Sequence, residues 1–594
     1  MRLLKKPLLA ALLSSSVLLV GGCELSDEGT DGLNGRDGLD GRNATSQAIS
    51  LQPIATFSSG IYDESAAEIV AYDAVNRQTF VVNANRKTVD VLDNQNLANP
   101  VLKASLNLVS DFSSAQIAGV VGDANSVALK DGLLAVAVAA NNKTDNGWVA
   151  FYRAADLGFL KAVQVGALPD MLTFSGNQLL VAIEGEPSTD YQVDPEGQVA
   201  LIGVQWDGTN LTTDLTTLHF TDFNLGGPQH SELPLDKMVL DGYSATNPDA
   251  KASVAQSLEP EYIAVNAVGS KAYVTLQENN AVAVIDLVDK RIEQILGLGF
   301  KDHSIPGNEL DASQKDGVNI RNWPVKGIYM PDTIASMEYQ GKSYFLTANE
   351  GDDRQDWLEN VTDQAGCEAA GYYFDAKDNC VDAFSAKDYY AADNVTLNSG
   401  LVTNGGFGKD NELNRLKFSY HTTVVKNGGT NFDHLYAYGG RSFSIYEAQT
   451  GQQVFDSGSD FEVITANRYG ADFNNDNAEN AGDDRSDNKG PEPEALTLGK
   501  IDGRTYAFIG LERMGGIMVY DVSNPNAPQF IEYFNNRNLQ KDPETELAQA
   551  GDLGPEGMQF VPAEQSPNGK PLLVVGNEVS GTTTYYELVV TRFE

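Results

Sequence analysis

The sequence predicts an all-β fold, a β-propeller of seven blades with eight as the alternative count. Three observations carry this. A carboxylate, often preceded by proline, opens an alternating apolar run about seven times along the chain. Each such run is followed by a second strand pattern and a polar turn, giving repeats of roughly 45–60 residues, the period of propeller blades. Glycine, asparagine and aspartate turns punctuate the chain throughout, and no long amphipathic helix is evident.

In chain order, the first element is a targeting segment. Arg2, Lys5 and Lys6 precede an apolar stretch from Leu8 to Val20, which ends in Gly21-Gly22-Cys23. That pattern reads as a signal peptide over 1–22, too short to count as a membrane span. A cysteine directly after small residues is the bacterial lipobox, so Cys23 is expected to carry a lipid as the first mature residue. Glu24, in place of an aspartate retention signal, directs the expectation to the outer membrane or cell surface. Residues 23–48 read as a tether. Gly29, Gly32, Gly35, Gly38 and Gly41 keep collagen's three-residue period, but five triplets without proline are too few for a triple helix. A flexible linker of this length spans roughly 25–30 Å.

The propeller is expected over 49–594. Its strand openings are Glu68-Ile-Val-Ala-Tyr72, Pro169-Asp170, Pro260-Glu261, Pro331-Asp332, Pro493-Glu494 and Pro555-Glu556, with Asn125 as an amide variant. The last repeat supplies only three strands, while the early strand from Ser50 to Thr56 has no blade of its own. Pairing the two would close the ring and remove an exposed sheet edge. The blade count rests on the 162 residues between Asp332 and Glu494. These hold an insertion at about 351–434, or else a further blade opened by the degenerate anchor Asn414-Arg-Leu-Lys-Phe418. Seven blades plus the insertion is the reading adopted.

Blade geometry puts the start of each innermost strand and each turn between second and third strands on one face. The turn residues Asn85, Asn142, Glu184, Glu278, Glu350, Glu512 and Glu578 follow their anchors by 14 to 22 residues, so two acidic rings are expected to converge on one mouth of the channel. Long irregular segments gather there too, as functional loops on rigid scaffolds do. Any single anchor can be explained as an acceptor for backbone N–H groups. Several together repel strongly unless protons or cations neutralise them. Oxygen-only ligands favour calcium or magnesium over zinc. Calcium is therefore the expected cofactor, with Glu350, Asp352, Glu492, Glu494, Glu556 and Glu578 as candidate ligands. Arg354, Arg485, Lys489, Glu512 and Arg513 are the candidates for contacting a further ligand. Asp472, Asn474, Asp476 and Asp483 fall at positions 1, 3, 5 and 12 of a calcium loop, although Asn477 replaces its glycine.

A formal charge of −41 makes nucleic acid and anionic membrane surfaces poor partners. The membrane is expected to be met through the lipid alone, and the partner to be an extracellular ligand or surface protein. With Cys23 lipidated, Cys367 and Cys380 remain and are expected to form one local disulfide. No serine-nucleophile elbow, zinc-protease helix, phosphate loop or dinucleotide fingerprint is present, and the five histidines are scattered.

The segments Thr347-Ala-Asn-Glu-Gly-Asp352, Gly440-Arg-Ser-Phe-Ser-Ile445, Ser486-Asp-Asn-Lys-Gly-Pro-Glu-Pro-Glu494, Gly510-Leu-Glu-Arg-Met-Gly-Gly-Ile-Met-Val-Tyr-Asp521 and Gly554-Pro-Glu-Gly557 resemble the bacterial choice-of-anchor I family. An animal mesenchyme-specific cell-surface glycoprotein is similar to that family. The resemblance covers most of residues 50–594 and implies a surface-anchored propeller. Some members are labelled alkaline phosphatases and the animal relatives are linked to calcium mineral, but no catalytic residue carries over. Two functions follow as expectations: a non-catalytic module that binds calcium and an external ligand on its acidic face, or a calcium-dependent phosphohydrolase built on the same face.

Overall fold

Seven four-stranded sheets follow one another along the chain, and in the first six the strands lie in sequential order from the innermost outward. The computed structural model describes residues 46–593 apart from 241, 243–251, 353–357, 359–360, 376, 386, 388–395, 398–408, 428–430 and 433. Residues 1–45, with the expected signal peptide, Cys23 and most of the expected tether, lie outside the described residues, as does Arg354; the last three residues of the expected tether, 46–48, instead belong to the strand Ser46–Ser58. The fold described is that of the body Ala48–Val590; Met1–Gln47 and Thr591–Glu594 group separately from it.

Blades 1 to 7 begin with the innermost strands Val70–Asp73, Val121–Lys130, Pro169–Ser175, Pro260–Val265, Ile334–Tyr339, Pro493–Ile501 and Pro555–Val561. Each of these touches the innermost strand of the next blade, and the seventh touches the first. Second strands are the most apolar, Leu133–Ala140 being buried at every position, because neighbouring blades cover both of their faces. The outer strand Val101–Asn107 is mostly exposed.

The core is accordingly divided into seven inter-blade layers. One, with Phe80, Val91, Val136 and Trp148, joins blades 1 and 2. Another, with Val81, Leu92, Val574 and Tyr585, joins blades 7 and 1. The expected closure is present: the last sheet runs, from the outside, Ser46–Ser58, Thr582–Phe593, Leu572–Asn577 and Pro555–Val561. Ile49 and Leu51 of the N-terminal strand are buried against Phe508, Val519 and Tyr586.

The insertion lies where expected and is slightly longer than its predicted bounds. In blade 5 the second strand Lys342–Asn349 pairs directly with the third, Ser442–Glu447, so the chain leaves at 350 and returns at 441. The excursion and the preceding loop build a separate five-stranded sheet, in the order Phe300–Asp302, Lys326–Ile328, Tyr436–Tyr438, Lys417–Ser419 and Ala383–Ser385. Phe418 of the degenerate anchor belongs to this sheet, around Trp323 and Phe384, and opens no blade. Cys367 and Cys380 are joined by the expected disulfide and pack against Leu358 and Tyr372. Among the described residues no helix is long and apolar enough to cross a membrane.

Candidate functional site

Four innermost strands open with the same local device. Pro169 pairs with Ile183 but Leu172 with Val181, so Asp170 and Met171 face one residue of the partner strand. The same bulge recurs after Pro260, Pro493 and Pro555. Proline suits the first strand position because it has no N–H to donate. The bulge re-aims the residue that follows it, here an acid, out of the ladder. Asp170, Glu261, Glu494 and Glu556 consequently line one cavity of about 370 Å³ at the channel mouth.

Both acidic rings reach this cavity. Asp332 joins the anchors, and the turn residues Glu184, Glu350, Glu512 and Glu578 supply the second ring. Glu68 and Asn85 line an adjoining cavity that shares Asn125, Asp170 and Glu556 with the first. Asn142 is exposed and belongs to neither lining. Burial, and then mutual repulsion among the carboxylates, pushes Glu184, Glu261, Glu494 and Glu556 well above the ordinary range. Burial and neighbouring acids raise Asp170 to about 7 and Glu68 to about 8. The Oε2 atoms of Glu261, Glu494 and Glu556 are buried without a hydrogen-bond partner.

One side of the mouth carries its own cations. Lys489 Nζ, 7 % exposed as a residue, lies 2.9 Å from Glu350, 3.0 Å from Asp352 and 3.3 Å from Glu492. Arg485 donates from Nε and Nη2 to Glu492 Oε1 at 2.9 and 2.7 Å. Arg513 reaches Glu492 Oε2 at 3.2 Å and Glu512 at 3.0 Å, and donates to Asn477 at 2.8 Å. Against the penalty of burial, Lys489, Arg485 and Arg513 hold Glu492 down at about 2. Three of the four basic side chains expected to meet a further ligand thus already meet carboxylates of this chain. In the set Glu350, Asp352 and Glu492, an ammonium stands where a metal ion was expected.

The loop that delivers Lys489 is fixed from behind by a residue the sequence reading did not select. Arg441 is 3 % exposed and donates to Glu462, Asp311 O, Ser486 O and Asn488 O, all within 2.7–2.8 Å. Gly490, at φ +73°, lies against it, and an added Cβ would stand 3.0–3.1 Å from the Arg441 side chain. Along the candidate calcium spacing, Asn474 donates to Glu462 and Ser486, Asp476 accepts from Ala478 N, and Asp483 accepts from Ser486, while Asn474 Oδ1 is buried without a hydrogen-bond partner. Glu68, Asp170, Glu184, Glu261 and Asp332 belong to the site beside the six selected acids. Their signal was the anchor-and-turn pattern itself.

A curated relative, gigasin-3a of Magallana gigas, is 31% identical over 190 residues, 30% of this chain and 64% of that protein. The mesenchyme-specific cell surface glycoprotein of Strongylocentrotus purpuratus is 24% identical over 294 residues, 47% of this chain and 36% of that protein. The chain therefore spans under two thirds of either relative. Among solved structures, the Pan2 WD40 domain of Neurospora crassa aligns over 90% of this chain and 95% of its own, at 7% identity and a TM-score of 0.40. Hydrazine synthase of Kuenenia stuttgartiensis aligns over 90% of this chain and 99% of its own, at 11% identity and a TM-score of 0.38. Likeness at that level adds nothing to the seven sheets themselves. The sequence profile of the choice-of-anchor I domain matches residues 68–525, and the chain belongs to the choice-of-anchor I family.

Proposed function

We propose that this protein is a lipid-anchored, extracytoplasmic binding module whose acidic mouth takes up calcium and, with it, an external ligand or surface partner. Cys23 supplies the anchor in this reading, at the outer membrane or cell surface, and the name of the sea-urchin relative supports a surface location. The observation that carries the proposal is the cavity: nine carboxylates from both rings line a single space. Carboxylates gathered at reduced dielectric favour whatever neutralises them. Oxygen ligands in a broad, adaptable ring suit calcium better than magnesium, which requires a tight octahedron.

The phosphohydrolase reading needs basic groups free to meet a phosphate. Among the described residues, Arg485, Lys489 and Arg513 are engaged by carboxylates, which favours the binding reading. The test is the melting temperature of the full chain in chelator, in calcium and in magnesium. A ligand that binds only the folded state stabilises it by an amount that grows with its free concentration. Calcium should raise the melting temperature progressively and more than equal magnesium. Neutralising Glu494 with Glu556 should diminish the effect more than neutralising Asp27 with Asp37 in the tether. A melting curve indifferent to millimolar calcium would refute the proposal.

A further inference from the structure

Among the described residues, two groups of three acids at the mouth bring carboxylate oxygens within 4.8 Å of one another: Glu350 with Glu492 and Glu512, and Glu68 with Glu556 and Glu578. Calcium sits about 2.4 Å from its oxygens, so two oxygens of one ion stand at most about 4.8 Å apart. Both groups therefore have the spacing of an ion's inner shell. They differ in what already fills them.

The first group is filled by the chain. Lys489 Nζ reaches Glu350 and Glu492, and Arg513 bridges Glu492 and Glu512. For the second group no ion pair is found among the described residues. The nearest guanidinium, that of Arg513, gives its hydrogen bonds to Glu492 and Asn477 and its ion pairs to Glu492 and Glu512. Glu556 Oε2 is buried with no hydrogen-bond partner. Glu556 and Glu578 line the main cavity and Glu68 and Glu556 the adjoining one, so Glu556 stands where the two meet. An acidic cluster alone would imply nothing. Here the sister group demonstrates that the mouth holds a cation at this spacing, and the open carboxylate atom marks where one is missing.

We infer that Lys489 is a built-in cation filling one of two equivalent seats, and that Glu68, Glu556 and Glu578 form the seat open to a divalent ion from solution. Deepening the calcium reading above and resting on it for the second seat, this makes the mouth a one-ion site because Lys489, beside Arg513, closes the other seat. Glu68 enters the ligand set although no proline precedes it, because its chain crosses beside the last blade: the Cβ positions of Gly557 and Gly576 would fall against the Glu68 carbonyl. Only glycine admits that approach.

The test is the number of calcium ions bound per full chain, measured by calorimetry and by luminescence of terbium as a calcium substitute. The parent should bind one ion, Lys489→Met two, and Lys489→Arg one, because a guanidinium still fills the seat. Near-ultraviolet circular dichroism checks that each variant is folded. If Lys489→Met folds and binds no more ions than the parent, the inference is overturned. If it does not fold, the parent background decides: Glu556→Gln should abolish binding and Glu512→Gln should spare it, and the reverse pattern overturns the assignment. A parent that binds nothing while Lys489→Met binds one ion would sink the calcium function and the open seat, yet uphold Lys489 as the occupant of the other.

Discussion

Raising the pH of the calcium-free protein from about 6.5 to about 8 should destabilise it, and calcium should remove most of that loss. Burial, reinforced by neighbouring acids, holds Glu68 at about 8 and Asp170 at about 7 in the folded state, and burial against the pull of Arg513 holds Glu578 at about 7. In the unfolded chain these groups ionise at about 4. A group whose folded value is raised contributes stability that is complete below the unfolded value and disappears as the pH climbs through the folded one. His303 sets the lower limit of the window. Burial keeps it neutral in the fold, so below about 6.5 the unfolded chain gains a proton that the fold refuses, which opposes the trend. Each proton retained only by the folded state changes stability by about 1.4 kcal/mol per pH unit. One such proton over 1.5 pH units amounts to about 2 kcal/mol. For a body of about 540 residues the unfolding entropy is about 1.1 kcal/mol/K, so the melting temperature should fall by about 2 °C per retained proton. Asp311, raised by burial to about 7 away from the mouth, adds a share that calcium should leave untouched. Melting curves in chelator at half-unit steps, repeated in calcium, measure this. A flat or rising melting temperature in chelator, or a fall that calcium does not reduce, would refute the reasoning.

Three further outcomes are expected. Cys23→Ser should release the protein from membrane fractions or block its maturation, and unchanged partitioning would exclude the lipid anchor. Protein taken from its native compartment should show no free thiol at Cys367 or Cys380 when denatured without reduction; replacing both should loosen the insertion by up to about 3 kcal/mol while the propeller's melting persists. Arg441→Ala strands the buried Glu462 and should cost about 3–5 kcal/mol; a variant as stable as its parent would show that the four bonds carry nothing.

The ring and its closure were legible because they depend on local pattern. Alternation marks each strand, proline followed by an acid marks five of the seven innermost ones, and a surplus strand at one end answers a deficit at the other. Blade 5 was less legible. Its second and third strands pair across an excursion of about ninety residues, and Tyr436–Tyr438 and Ser442–Glu447, adjacent in sequence, belong to different sheets. Phe418 has an anchor's apolar neighbours without being one, since only tertiary pairing assigns it to the insertion. At the mouth, residue types and face could be read, but pairing could not. Lys489 is separated from Glu350 by 139 residues, and no periodicity states that the ammonium turns inward to meet that carboxylate. The bulges that aim the acids are equally silent, being a register property of two strands together.

The closing strand has a consequence for how the chain must be made. Thr56 and Thr584 share a hydrogen bond across 528 residues, and Tyr585 reaches Thr79 across 506. Contacts so distant in sequence bear the full loop-closure entropy before they return any stability, and they form late. Until Leu572–Asn577 and Thr582–Phe593 have been synthesised, the first blade has no neighbour on one side, and Ile49 and Leu51 have no groove to enter. A chain emerging from N- to C-terminus can build blades one after another, but it keeps an open arc with two apolar ends until residues 555–593 arrive. Ring closure therefore waits on the seventh blade, however early the first six have formed.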